Sequence, residues 1–140
     1  MLPLIVTAGI IRRGKKILIA QRYVRSEDTF KWEFAGGKLE KGETPEACLA
    51  REIQEELDLK IQVKDIFKVV YHPYKDKTIL LLCYLCDHLK GEPKAIECTD
   101  FKWIDLQELQ QFDFVDADKP IVDKIITMKN QIFEIDVETV

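Results

Sequence analysis

Strand-like runs interspersed with helical ones predict an α/β (α+β) sandwich for this 140-residue chain. Three observations carry the prediction. Two apolar runs joined by a polar turn open the sequence, a well-signalled helix begins at Thr44-Pro45, and three further strand-like runs precede a last helix. One domain spanning 1–140 is expected, long enough to bury a substantial core.

In chain order, residues 4–11 and 16–22 read as two β-strands with a turn at "RRGK" between them. "KWEFA" at 31–35 reads as a short strand that ends at Gly36-Gly37, and the polar loop "GGKLEKGE" follows. Thr44 is a good N-cap, and Pro45 suits the first helical position. At about 100° per residue, Ala47, Ala50, Ile53 and Leu57 share one face of that helix. Strands are expected around 61–71, 77–86 and 99–104, then a final helix over 119–130. No internal repeat, low-complexity segment or linker is visible.

Hydrophobic residues make up 46% of the chain and charged residues 33%, the mix of an ordinary soluble protein. The net charge of −4 argues against a nucleic-acid polymer as partner, since backbone binding needs clustered cations. Nucleotides remain open, because a few placed groups can hold them. The apolar start is broken by Arg12, Arg13, Gly14, Lys15 and Lys16, too early for a membrane span. No basic leader with an apolar segment and cleavage site is seen, so a cytoplasmic protein is expected. Cys83 and Cys86 form a lone CxxC inside a strand-like run. Residues three apart on a strand face opposite ways, so zinc is not expected and the cysteines read as small buried hydrophobes.

The stretch "AREIQEELDL", residues 50–59, puts Glu52, Glu55 and Glu56 within about 100° of arc, opposite the apolar face. Like charges at i,i+4 cost a helix roughly 0.2–0.5 kcal/mol. Carboxylates near its C-terminus add ~0.3–1 kcal/mol each against the macrodipole. A solvated face explains such charges in many helices. Here Gly36 and Gly37 let backbone approach a ligand closely, and Glu43 with Arg51 can brace the loop against the helix. Arg51 is the only cation between 42 and 59. A hard cation would relieve the repulsion, and oxygen ligands select Mg²⁺ or Mn²⁺ over zinc. Such a centre suits phosphate chemistry.

"GKLEKGETPEACLAREIQEELDL" resembles the Nudix box, G-x5-E-x7-R-E-U-x-E-E-x-G-U with U aliphatic. Gly37, Glu43, Arg51, Glu52, Ile53, Glu55, Glu56 and Leu59 fit at the right spacing; Asp58 stands where the family has glycine. "WEFAGGK", "GEP" at 91–93, Glu97, Trp103 and "ADKP" at 117–120 are similar to the MutT-like branch, "WEFAGGK" especially to bacterial CTP pyrophosphohydrolases. The resemblance implies the Nudix αβα sandwich, a mixed sheet between helices. It also implies Mg²⁺-dependent hydrolysis of a (d)NTP, of CTP/dCTP type or an oxidised purine such as 8-oxo-dGTP, to the monophosphate and pyrophosphate. By the same resemblance Glu52, Glu55 and Glu56 are catalytic and hold Mg²⁺ (or Mn²⁺) with the Gly36 carbonyl and Glu97. Glu52 is the expected general base, Gly37, Glu43 and Arg51 are structural, and Arg22 and Lys38 face the triphosphate.

Asp118 is expected to contact the base. Its simpler reading is an N-cap of the last helix, ahead of Lys119-Pro120. An ionised Asp only accepts hydrogen bonds, whereas a neutral one also donates, so it does not decide between cytosine and guanine. Phe30, Phe34, Tyr71, Tyr74 and Phe112 are aromatic candidates for stacking, none singled out. The rival activities are hydrolysis of ADP-ribose or another nucleoside diphosphate derivative, and a Nudix-fold binding module without turnover. No extra amino-terminal dimerisation domain is obvious, and a homodimer is left open.

Overall fold

A Gly14 turn at φ +62° joins β1 (Leu4–Arg13) to β2 (Lys16–Val24) as an antiparallel hairpin. The structure, a computed structural model, describes the backbone of residues 2–138 and side chains as far as 134. After the hairpin come β3 (Thr29–Glu33), α1 (Pro45–Leu57), β4 (Lys60–Pro73), β5 (Thr78–Lys90), β6 (Asp100–Asp105), α2 (Lys119–Met128) and α3 (Gln131–Glu138). The strands form a six-stranded sheet in the order β3-β2-β1-β5-β4, with β6 also paired to β2. β1 and β5 run parallel from Leu4↔Ile79 to Arg12↔Asp87, and the other pairs are antiparallel. The mixed α+β sandwich is as expected.

Period-two alternation divides the sheet into two cores. Ile17, Ile19, Phe67 and Cys83 pack with Ile121 and Ile125 of α2, whereas Leu18, Ala20, Tyr84 and Cys86 pack with Leu49, Ile53 and Leu57 of α1. Cys83 and Cys86 thus lie on opposite faces, and all four cysteines are free thiols. No helix among the described residues is long and apolar enough to cross a membrane.

One irregularity positions everything that follows. β1 and β2 pair only over Ile11↔Leu18, Arg12↔Ile17 and Arg13↔Lys16. Beyond that the sheet splits, and residues 35–39 run into the gap along β1. Gly9 N–H donates to the Ala35 carbonyl at 2.9 Å, Thr7 N–H to Gly37 at 2.8 Å, and Leu39 N–H to Ile5 at 2.9 Å. A Cβ on Gly36 would sit 1.9 Å from the Thr7 carbonyl oxygen, so only glycine fits that approach.

Several strands run past their expected ends, β5 furthest, to Lys90 instead of 86, and two boundaries move for a reason visible in the backbone. The strand expected over 31–35 is β3, Thr29–Glu33. Phe34 and Ala35 leave it because their backbones bond to Asp118 and Gly9 instead. The helix expected over 119–130 stops at Met128, where Lys129 takes φ +54°, and α3 follows from Gln131. Apolar residues continue across the break, Ile125 and Ile132 both being buried, so the pattern carries no stop signal.

Candidate active site

α1 starts and stops where its capping residues dictate. Thr44 Oγ1 accepts the Ala47 N–H at 3.2 Å, and Pro45 occupies the first turn. Asp58 adopts the left-handed conformation, φ 55° and ψ 41°, and its N–H closes on the Gln54 carbonyl. The residue that departs from the family glycine therefore performs the glycine's conformational task. Its Oδ1 accepts Gln54 Nε2 at 2.8 Å.

Arg51 organises the acidic face. Its Nε and Nη2 donate to both Glu43 oxygens at 3.0 and 2.7 Å, a bidentate clasp between the helix and the preceding loop. Nη1 donates to Glu52 at 2.9 Å and to Glu55 at 3.2 Å, and Nη2 reaches the Lys38 carbonyl at 3.3 Å. The guanidinium, with the Glu40 N–H, holds the Glu43 carboxyl at about 2. Gly37 is less strictly required than Gly36: a Cβ there would lie 2.3 Å from the Glu52 carboxyl group, a side chain that can shift, whereas at Gly36 it meets backbone.

Glu56 is the exceptional member. One of its oxygens, Oε2, is buried without a hydrogen-bond partner. Burial pushes its carboxyl up to about 8, with Glu33, Glu52 and Glu97 adding repulsion and the Gly36 N–H opposing it. Burial also raises Glu52, against the pull of Arg51. Glu97 comes to the cluster on the loop after β5. That loop satisfies the last carbonyls of α1: Ile96 N–H donates to Glu56 O at 3.1 Å, and Lys94 N–H to Leu57 O at 2.9 Å. The donors are all oxygens, and an orphaned buried carboxylate is what a hard cation would satisfy. Among the described residues no three His, Cys, Asp or Glu side chains already converge as a metal site. Arg51 instead occupies Glu52 and Glu55.

Beside this cluster, in the split of the sheet, lies a cavity of about 90 Å³ lined by Arg22, Glu33, Phe34, Gly36, Tyr74 and Asp118 among others. Gly36 borders both cavity and carboxylates. Asp118 is buried, and its Oδ2 accepts the Phe34 N–H at 2.8 Å. It makes no side-chain cap to α2, so the N-cap reading fails: the carboxylate turns inward to β3's outgoing backbone. Burial raises it to about 8, opposed by the Phe34 N–H and reinforced by Glu33. Arg22 Nε contacts Glu33 Oε1 at 3.0 Å.

Of the residues expected from the sequence, Arg22, Gly36 and Asp118 meet at the cavity, and Glu52, Glu56 and Glu97 are close enough to repel one another. Lys38 does not join them. Its side chain is exposed and outside the cavity lining, and only its carbonyl takes part, accepting from Arg51. Glu33 was not expected. Its signal was the β2–β3 pairing, where Arg22↔Lys31 and Ala20↔Glu33 put Arg22 and Glu33 diagonally across the ladder.

Residues 2–125 match the NUDIX domain family. The 8-oxo-dGTP diphosphatase of Escherichia coli (strain K12) is 35% identical over 126 residues, 89% of this chain and 98% of that protein. The CTP pyrophosphohydrolase of the same organism is 32% identical over 124 residues, 89% of this chain and 92% of that protein. Among solved structures, that of the E. coli ORF135 protein superposes with a TM-score of 0.83 at 32% identity, covering 92% of each chain. With the domain matched over most of its length and relatives of this likeness, the chain belongs to the Nudix hydrolase family, in its MutT-like branch.

Proposed function

We propose that the protein is a divalent-metal-dependent nucleoside triphosphate pyrophosphohydrolase, converting a (d)NTP to the monophosphate and pyrophosphate. The observation that carries this reading is the adjacency of the Asp118 cavity and the acidic face of α1, with Gly36 at their common border. A base seated in the cavity would direct its phosphates toward the carboxylates. The relatives named for 8-oxo-dGTP and CTP support a triphosphate.

Glu52, Glu55 and Glu56, with Glu97 and the Gly36 carbonyl, are the groups that would hold the ion. When bound, Mg²⁺, or Mn²⁺ in its place, neutralises phosphate charge and makes a water more acidic. The chain's own groups perform the rest. Arg22 faces the triphosphate from the cavity mouth, and Arg51 is a positioning residue that fixes Glu52 and Glu55. Glu52 takes the proton of the attacking water. That water's oxygen bonds to one of the two phosphorus atoms flanking the oxygen between the α and β phosphates as that phosphorus's bond to the bridging oxygen breaks, leaving the monophosphate and pyrophosphate.

Purified protein with Mg²⁺, offered the common NTPs and dNTPs, 8-oxo-dGTP and ADP-ribose, tests the reading against its rivals. Turnover of a triphosphate is expected, with Glu55→Gln lowering it on the order of 10²–10⁴-fold. Activity confined to ADP-ribose, or none at all, would overturn it.

A further inference from the structure

We infer that the open part of the sheet face beside α1 is a two-fold interface, on which a second copy of this chain docks. The strands concerned are β1, β5 and the edge strand β4. On β5, Ile79 and Leu81 line the Asp118 cavity, and Leu80 and Leu82 point the other way, onto this face.

The sequence of these strands already implies two covered faces. β5 reads Ile79-Leu80-Leu81-Leu82 and β4 reads Val69-Val70-Tyr71, apolar without alternation. A strand with one wet face alternates apolar and polar residues, whereas a continuous apolar run belongs to a strand covered on both. One face is covered: Leu81 and Val70 are buried in the core that packs on α2. On the other face, register places Ile5, Leu80 and Tyr71 in one row across β1, β5 and β4. Thr7, Leu82 and Val69 form the next row, and Gly9, Tyr84 and Ile66 the one after. α1 begins at Pro45 and meets this face over Thr7 and Tyr84. Cys48 Sγ lies 3.5 Å from Thr7 Oγ1, and Tyr84 Oη donates to Glu46 at 3.4 Å. Beyond the helix Tyr71 is 67% exposed, Val69 50%, Ile66 49% and Ile5 36%.

Area, charge and the design of the edge select the occupant. These four side chains leave about 400–500 Å² of apolar surface open, as much as the largest patch of a typical monomer. That matches the apolar share of the ~800 Å² that each partner of a standard interface buries. None of the residues Ile5, Ile66, Val69, Tyr71, Leu80 and Leu82 is charged. Two copies related by a two-fold can therefore set the patch against itself without opposing like charges. The net charge of −4 disfavours an anionic lipid surface. The β4 edge is not offered for strand pairing. Its register shifts between Val63 and Ile66 and again between Ile66 and Lys68, and such bulges blunt an edge against open-ended addition. The contact is face to face, and the assembly closes at two copies.

The test is sedimentation equilibrium of the whole chain over a wide concentration range, for wild type, Val69→Lys, Tyr71→Lys and Leu89→Lys. Wild type is expected to pass from monomer to dimer mass as concentration rises. A two-fold interface counts each substitution twice, so Val69→Lys and Tyr71→Lys should each raise the dimer dissociation constant roughly 10–100-fold. Leu89 is as exposed, at 53%, but lies at the far end of β5 on the opposite face, and Leu89→Lys should change nothing. Thermal unfolding checks that the variants fold, and Val69→Thr or Tyr71→Ser replaces one that does not. A wild type that stays at monomer mass, or a dimer that the patch variants leave intact, would overturn the inference. So would co-sedimentation of a monomeric wild type with phosphatidylcholine–phosphatidylglycerol vesicles, which would give the face to a membrane.

Discussion

Asp118 carries two duties on one carboxylate: Oδ2 holds the Phe34 backbone, and the group faces the cavity. Sequence adjacency to Lys119-Pro120 made a helix cap the simpler reading, because capping is a local pattern. The bond actually made spans 84 positions, which no local pattern shows. Its titration follows from burial. The folded protein keeps the Asp118 proton up to about pH 8, whereas an unfolded Asp loses it near 3.8. Between those values the native state binds more protons, so stability should fall as pH rises and level off above about 8. Glu56, raised to about 8, adds a slope of the same sign. Asp118→Asn should reduce the slope in urea unfolding between pH 5 and 8 without abolishing it. An Asn can still accept the Phe34 N–H, so the ranking of nucleobases should change more than turnover of the best one. Equal loss on every nucleotide would count against base contact.

At the scale of elements, the start of α1 was legible to the residue from Thr44 and Pro45, but its buried face only in part. Of the expected Ala47, Ala50, Ile53 and Leu57, only Ile53 and Leu57 are buried; Cys48 and Leu49 complete the face, which is turned toward the larger side chains, and Ala47 is exposed. The end of α1 was legible through a departure from pattern, since Asp58 takes the left-handed conformation in place of glycine. A Cβ in that conformation costs roughly 1–2 kcal/mol, less for Asp, whose short side chain bonds locally. Asp58→Gly should therefore raise stability by about 0.5–1 kcal/mol in urea unfolding. The exposed Gln54 contact that it forfeits offsets only part of this. A loss of stability would mean that the Gln54 and Lys94 contacts of Asp58 outweigh its backbone strain. α3 was not legible. Its separation from α2 rests on one positive φ at Lys129, a residue type that gives no warning of it.

On the scale of the whole molecule, the site exists because the sheet splits. β1 and β2 part after three paired positions, residues 35–39 enter along β1, and the opening becomes the Asp118 cavity beside the carboxylates of α1. The carboxylates were legible because Glu52, Glu55 and Glu56 sit at helical spacing on one element. The cavity was not, because Arg22, Glu33, Tyr74 and Asp118 come from four separate places in the chain and only the register assembles them. Arg22 and Asp118 were reached through resemblance and Tyr74 only as one of five aromatic candidates, whereas Glu33 emerged only through the fold. The most direct test of the central claim is product identification with one turned-over nucleoside triphosphate, Mg²⁺ and ¹⁸O-labelled water. The account predicts equal amounts of nucleoside monophosphate and pyrophosphate, with label in one of them. Release of inorganic phosphate and a nucleoside diphosphate would contradict it.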